Sequence, residues 1–281
     1  MLLITGSSGY VGSSFIKKYN SKYKIKTFSL LDNSIESINF NDIECIVHCA
    51  ALVHQKKEID YSDYVKVNIN YPVHLARLSK EKGVNHFIFM STVAVYGENY
   101  DVLNEELICN PVTLYGKSKL HAELELLKLQ SDDFHVSIIR PPMIYGFNAP
   151  GNIASLINLV KKTSLLPFGK VANKRSFIYI ENLGHMLNEI IIQKQEGILL
   201  ASDDEPISTT KLIKLIADNL EKKLYLINLP LFETFLCLVK PSLHKRLYES
   251  LEIDNSLTKK QLNLTNPYTV EEGIKLMIQG E

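Results

Sequence analysis

Tyr115 and Lys119 lie four residues apart in Tyr115-Gly116-Lys117-Ser118-Lys119, at the start of a helix-period stretch, so a phenol and an ammonium share one helical face. A cation beside a phenol favours the phenolate and lowers a pKa that is ordinarily about 10. A phenol poised in this way exchanges a proton with a hydroxyl or a carbonyl oxygen. Alone the pair says little, because Tyr and Lys at helical spacing are common on surfaces. Its partner is Met90-Ser91-Thr92-Val93-Ala94-Val95-Tyr96-Gly97, which follows a short apolar run. There Thr92 or Ser91 can hydrogen-bond the reacting oxygen and hold it near Tyr115. The competing reading is that both hydroxyls only satisfy backbone groups at a strand end.

A second cluster says what the phenol works with. Thr5-Gly6-Ser7-Ser8-Gly9-Tyr10-Val11-Gly12 follows the apolar run Leu2–Thr5 and opens a helical stretch. Gly6, Gly9 and Gly12 permit a tight turn, close backbone approach to a pyrophosphate and close helix–strand packing, with the helix N-terminus facing the negative charge. Ser8, Tyr10 and Val11 complete this expected dinucleotide loop. Asp32, beside Asn33, follows the second apolar run, where a carboxylate accepts hydrogen bonds from ribose hydroxyls and repels a 2′-phosphate, favouring NAD over NADP. Alternatively, Asp32 only caps the loop Asp32-Asn33-Ser34. With a nicotinamide in place, Tyr115 would move a proton while hydride moves to or from the cofactor, and Lys119 would reach the nicotinamide ribose.

The elements that must position these groups alternate between short β-rich runs and helix-period segments, the pattern of an α/β chain with a doubly wound parallel sheet. The pattern predicts strands near Leu2–Thr5, Ile25–Leu30, Cys45–His48, Phe87–Met90 and Val136–Ile139, and helices near Val11–Tyr19, Tyr61–Glu81 and Thr113–Gln130. Phe177–Ile180 and Ile198–Ala201 read as returning strands, and the chain beyond Ser208 as helices. Pro141, Pro142, Pro150, Gly151, Pro167 and Gly169 mark a loop-rich region able to build a smaller C-terminal substrate lobe. The expected division is a cofactor domain over 1–150, rejoined by 174–201, and a lobe from 151–173 and 202–281.

A chain of 281 residues with 46% hydrophobic content buries a full core. Basic and acidic residues number 31 each, so no global field draws in nucleic acid or anionic lipid. Cys45, Cys49, Cys109 and Cys237 show no CxxC spacing and read as reduced core thiols, which suits the cytoplasm. The N-terminus reads as a first strand with no signal peptide. Leu224–Val239, interrupted by Asn228, Pro230 and Glu233, reads as a packed amphipathic helix and no membrane span, with an interfacial helix as the alternative. No metal site is expected.

The glycine loop, His48-Cys49-Ala50-Ala51, Asn68, Ser91-Thr92 through Tyr96-Gly97, Tyr115 with Lys119, and Arg140-Pro141-Pro142 through Tyr145-Gly146 together resemble the extended short-chain dehydrogenases/reductases. These are the NAD-dependent epimerase/dehydratase family, including UDP-galactose 4-epimerases, nucleotide-sugar 4,6-dehydratases and 4-keto-sugar reductases. The likeness runs from Met1 to about Leu183 and is looser beyond. It implies a Rossmann sheet, Thr92 as the catalytic Ser/Thr, Tyr115 as acid/base and Lys119 as its helper. It further implies Ala50, Ala51 and Asn68 along the cofactor, Pro142 to Ile144 beside the nicotinamide, and Arg175 gripping the diphosphate of a nucleotide-sugar. Arg175 suits that task through its planar, bidentate fork. Asn152 stands where the family often has a substrate-contacting asparagine, and otherwise reads as a turn residue. A homodimer through the Tyr61–Glu81 and Thr113–Gln130 helices is usual for such proteins.

Two departures from the family narrow the reaction. Dehydratases typically carry acids after the catalytic Thr, and GDP-fucose-synthase-like enzymes a cysteine after the serine pair, whereas this chain has Val93 and Ala94. What remains is chemistry at one carbinol, C4, by a 4-keto reductase or a 4-epimerase. Pro167-Phe168-Gly169, Asn173 to Ser176, Asn182-Leu183 and Ala51 to Gln55 look most like enzymes of bacterial surface-polysaccharide synthesis that handle UDP-N-acetyl-6-deoxyhexoses. The short connection from Asp32 to Ile46 suggests an exchangeable cofactor, which favours the reductase. A non-catalytic NAD(P)-binding protein is the reading from another class; such proteins commonly lose the Tyr or the Lys, and this chain keeps both.

Overall fold

The computed structural model describes residues 1–30, 33–53 and 60–280. Asp32 and the His54-Gln55 end of the polysaccharide-type segment lie outside the described residues. Six strands form one parallel sheet: β1 Leu2–Thr5, β2 Ile25–Phe28, β3 Cys45–His48, β4 His86–Met90, β5 His135–Arg140 and β6 Gly197–Leu200, in the order β6-β5-β4-β3-β1-β2. The central strands β1, β3 and β4 are buried at every position, as near-continuous apolar runs covered on both faces must be. Alternate residues divide between two cores. Leu3, Ile46, Phe87 and Phe89 pack with Leu75, Ala76, Ala122 and Leu126, while Ile4, Val47 and Ile88 pack with Phe15, Leu183, Leu187 and Ile190.

The strand order reverses at β1, with β2 on one side and β3 on the other. Open α/β sheets bind ligands in the crevice at this switch point, outside the carboxyl ends of the strands. Gly6 leaves β1 there and Cys49-Ala50 leave β3. Below them Thr5 Oγ1 and His48 Nδ1 lie 2.9 Å apart, tying the two strands.

The helices sit close to their sequence expectations, at Tyr10–Tyr19, residues 61–81 and Leu114–Leu127. The second contains one π turn, Val65–Asn70, in which the Tyr71 N–H bonds to the Lys66 carbonyl. Pro72 explains the distortion, since it lacks the N–H that a regular α-helix would aim at the Asn68 carbonyl.

A further core joins Tyr145, Ile153, Val160, Phe168, Phe177, Ile213 and Ile274 on the carboxyl side of the sheet. Two expectations change here. Phe177–Tyr179 does not return to the main sheet; it pairs with Met143–Tyr145 as a separate two-stranded ribbon. The stretch Leu224–Val239 is not one helix: Tyr225–Leu226 pairs with Leu165–Leu166, and only Phe232–Val239 is helical, because Pro230 breaks the run. Cys237, on that helix, is exposed and not a core thiol, whereas Cys45 is buried. No helix among the described residues is long and apolar enough to cross a membrane.

Candidate active site

The glycine loop is built for close approach. Gly6 has φ of 71°, and a Cβ there would stand 2.5 Å from the Ala50 nitrogen. A Cβ on Gly12 would stand 2.4 Å from the Gly6 carbonyl oxygen. The Gly9 N–H closes the turn on the Gly6 carbonyl at 3.0 Å, and the helix Tyr10–Tyr19 begins immediately after, with no side chain capping its first amides. Ser8 and Gly9 are exposed at its mouth, Val11 is half-buried, and the Tyr10 hydroxyl is buried against Gly146. Ala50 and Ala51 face the loop from β3.

Across the crevice the helix Leu114–Leu127 begins at Thr113, whose Oγ1 accepts the Gly116 N–H at 3.0 Å. Tyr115 thus sits in the first turn. Gly116 lets that turn lie against residues 93–96, a short 3₁₀ turn capped by Thr92, whose Oγ1 accepts the Ala94 N–H at 3.2 Å. Thr92, half-buried, and Tyr115 are thereby brought to the same sheet edge.

Lys119, one turn further, is fully buried with its Nζ 3.8 Å from the centre of the Phe89 ring and without a hydrogen-bond partner. Burial pushes its ammonium down to about 7, against the opposing pull of the Glu123 carboxylate. Burial pushes the Tyr115 phenol up to about 12, with Tyr64 adding to the rise. Burial thus acts on the two groups in opposite directions, and the sequence expectation of a favoured phenolate joins the lysine with an oxidised nicotinamide, whose charge would add to that of Lys119. A buried amine with no partner beside a cradle that only glycine backbone can line fits a dinucleotide, whose ribose hydroxyls would complete the lysine.

The other expected groups divide. Asn68 spends its side chain within the protein: Oδ1 accepts the Leu52 N–H at 2.8 Å, and Nδ2 donates to the Leu52 carbonyl at 3.0 Å and to Ser118 Oγ at 3.1 Å. It ties the β3 exit loop to the helix that carries Tyr115 and Lys119, where the sequence placed it along the cofactor. Ser91 points away from the crevice, its Oγ donating to Glu123. Glu123 also accepts from Arg140, Nη2 to Oε2 at 2.5 Å, in a pair with both side chains buried. Of the two candidate hydroxyls, only Thr92 remains available. Pro142 is buried, and Ile144 is half-buried in the Met143–Tyr145 ribbon.

On the lobe side, Arg175 Nη1 donates to the carbonyls of Lys245 and Glu249, at 3.2 and 2.9 Å, at the end of the helix Pro241–Tyr248. Asn152 Oδ1 accepts from Arg246 Nη1 at 2.7 Å. Arg246 is a residue that sequence reasoning missed. Burial lowers the Arg175 pKa against the opposing pull of the Glu249 carboxylate, and the charge of Arg246 adds to the lowering, so two guanidinium groups share one region. Beside them a cleft is lined by Pro167, Lys170, Val171, Asn228, Leu229 and Tyr248, among others. A separate depression at residues 38–44, with Lys82 and Gly83, opens at the amino ends of β3 and β4, away from all these groups.

Residues 2–198 match the NAD dependent epimerase/dehydratase family. The chain belongs to this family. Among its relatives is a UDP-glucose 4-epimerase of Vibrio cholerae, 32% identical, with 99% of this chain and 94% of that protein covered. Similar solved structures include the UDP-glucuronic acid 4-epimerase of Bacillus cereus in complex with NAD, with a TM-score of 0.78 at 19% identity over 99% of this chain and 97% of that one. RMD of Pseudomonas aeruginosa, solved with NADPH, gives a TM-score of 0.79 at 16% identity over 100% and 99%. Family membership makes the chain an NAD(P)-dependent enzyme of the extended short-chain dehydrogenase type, with the Rossmann sheet expected of one.

Proposed function

We propose that this enzyme carries out oxidation and reduction at C4 of a UDP-sugar, and that the net reaction is 4-epimerisation. The observation that carries this reading is the chemistry available beside Thr92. Tyr115 is the proton-transferring group there, and Val93 and Ala94 add no acid, base or thiol, so the reaction stays on one carbinol. NAD(P), held by the glycine loop and Lys119, would supply the hydride acceptor and donor for C4. Thr92 Oγ1 holds the C4 oxygen, Tyr115 takes its proton on oxidation and gives one back on reduction, and Lys119 orients the cofactor ribose. Gly6, Gly9 and Gly12 line the pyrophosphate, while Arg175 and Arg246 take the sugar diphosphate, with Asn152 orienting Arg246. The similarity to a UDP-glucose 4-epimerase over 99% of the chain supports the epimerase.

A 4-keto reductase acting on a UDP-4-keto-6-deoxy-N-acetylhexosamine for surface polysaccharide is the second reading. It is favoured by the short stretch of sequence between Asp32 and Ile46, which leaves fewer residues for adenine contacts and so suits an exchangeable cofactor.

Absorbance near 340 nm separates them. An epimerase interconverts UDP-glucose-type and UDP-galactose-type sugars without net consumption of reduced cofactor; a reductase consumes added NADH or NADPH in proportion to the keto-sugar. In either case Tyr115→Phe is expected to lower turnover by about 10²-fold or more with cofactor binding retained. Near wild-type turnover in that variant would remove Tyr115 from the mechanism.

A further inference from the structure

One edge of the C-terminal lobe carries an apolar surface that the described residues leave exposed. Tyr225 and its strand partner Leu165 are both exposed, and Ile227 and Leu229 follow Tyr225 at alternate positions. The chain then turns at Leu231, a branched residue held at φ of 64° with its side chain 81% exposed. A bulky residue in the left-handed region with nothing packed on it is a strained way to present a leucine to water. In the helix that follows, Phe235 and Leu238 are 59% and 78% exposed and continue from Leu231 at helical spacing. The inner face of this helix is fixed by buried Leu236 and by Phe232, whose ring meets Phe168 at 6.0 Å.

Charge identifies what fits this edge. Residues 221–249 hold five basic side chains, Lys222, Lys223, Lys240, Lys245 and Arg246, against three acids, Glu221, Glu233 and Glu249, in a chain whose formal total is zero, and Lys245 is paired with Glu98. Lys222 and Lys223 stand before the apolar run, Lys240 directly after it, and Lys222 Nζ reaches the Lys161 carbonyl, which brings Lys161 and Lys162 to the same end. An apolar stripe bounded at both ends by lysines is the arrangement of an element lying in the plane of an anionic bilayer, its hydrocarbon in the acyl boundary and its amines at the headgroups. A second copy packed face to face would bring these lysine clusters near each other, with fewer acids than lysines between them.

We infer that the edge formed by Tyr225, Ile227, Leu229, Leu231, Phe235 and Leu238 seats this enzyme on an anionic lipid surface. The uneven charge that the whole-chain total conceals makes the contact selective for anionic headgroups. The docking face adjoins the cleft at Asn228 and Leu229, so the mouth of that cleft lies close to the membrane plane.

The test is sedimentation of the full chain with phosphatidylcholine vesicles and with mixed phosphatidylcholine–phosphatidylglycerol vesicles, at low and high salt. Its readout needs no turnover, so it fails or succeeds separately from the reading of the reaction. Binding is expected to the mixed vesicles only, weakening with salt. The double variant Phe235→Glu/Leu238→Glu, at exposed positions and checked for unchanged thermal unfolding, should bind at least about tenfold more weakly. Lys222→Gln and Lys223→Gln should each weaken binding about fivefold. No sedimentation of the wild type with the mixed vesicles, or undiminished binding by the Phe235/Leu238 variant, overturns the proposal. So does a lipid-free oligomer in ultracentrifugation that the same variant dissociates, since a second copy then covers the face.

Discussion

The α-carbon of Gly116 rests so close to Ala94 that a Cβ placed on it would stand 2.6 Å from the Ala94 carbonyl oxygen. This contact joins the helix carrying Tyr115 and Lys119 to the turn carrying Thr92, and its neighbour is rigid backbone. Gly116→Ala must therefore move one element away from the other. Displacement on the ångström scale at a reacting pair costs about 10²-fold in rate. The expected variant is folded, binds cofactor, and turns over at least about tenfold more slowly. Wild-type kcat in Gly116→Ala would mean that the spacing of Thr92 and Tyr115 is set elsewhere.

Lys119 makes stability depend on pH. Its folded-state pKa of about 7 lies below the ordinary 10.5, so between those values the unfolded chain holds a proton that the folded chain lacks. Stability then rises with pH through that window, by up to about 1.4 kcal/mol per pH unit, and the full cost of burying the amine is felt below it. Lys119→Met removes the titration. The cofactor-free variant should be more stable than the wild type at pH 7 and lose that advantage as the pH approaches 10, while its turnover falls sharply. Denaturant unfolding at pH 7 and pH 9 checks both directions.

Glu123 and Arg140 form a pair buried beneath the crevice, with Ser91 donating to the carboxylate and the Arg140 guanidinium 4.8 Å from the Tyr96 ring centre. Removing one member strands the other charge. Glu123→Leu should cost about 3–5 kcal/mol, and Glu123→Leu with Arg140→Met should recover much of that loss. If the double variant is as unstable as the single one, the pair holds the β5 end through more than its charge.

Much of this was legible in the sequence because it depends on local spacing. The glycine loop, the Tyr115–Lys119 pair and the strand cores sit at short intervals, where backbone sterics and period-2 burial fix the outcome. What the sequence did not show depends on contacts between distant segments. Ser91 and Thr92 are adjacent and chemically alike, and only Glu123, from another element, decides which one faces the crevice. Asn68 carries a family position, but its hydrogen bonds to Leu52 and Ser118 arise from the tertiary fold. The break within Leu224–Val239 was announced by Pro230, yet the pairing of Tyr225 with Leu165 could not be read from periodicity in so short a strand.

Arg246 had no local motif to mark it, and its position beside Arg175 and Asn152 gives it a defined role under the proposed function. Half-buried Arg175 and exposed Arg246 repel each other, with Glu249 offsetting part of this, and a diphosphate bound between them relieves the repulsion in the ground state and the transition state alike. Binding energy of this uniform kind changes KM and leaves kcat nearly untouched. Arg246→Ala should raise the KM for the UDP-sugar about tenfold or more, the loss of a charge-assisted hydrogen bond, with kcat within about twofold. Arg246→Lys should recover part of the affinity, because it restores the charge without the fork. A fall in kcat with KM unchanged would place Arg246 in ordering the lobe around Asn152 and not in holding the substrate.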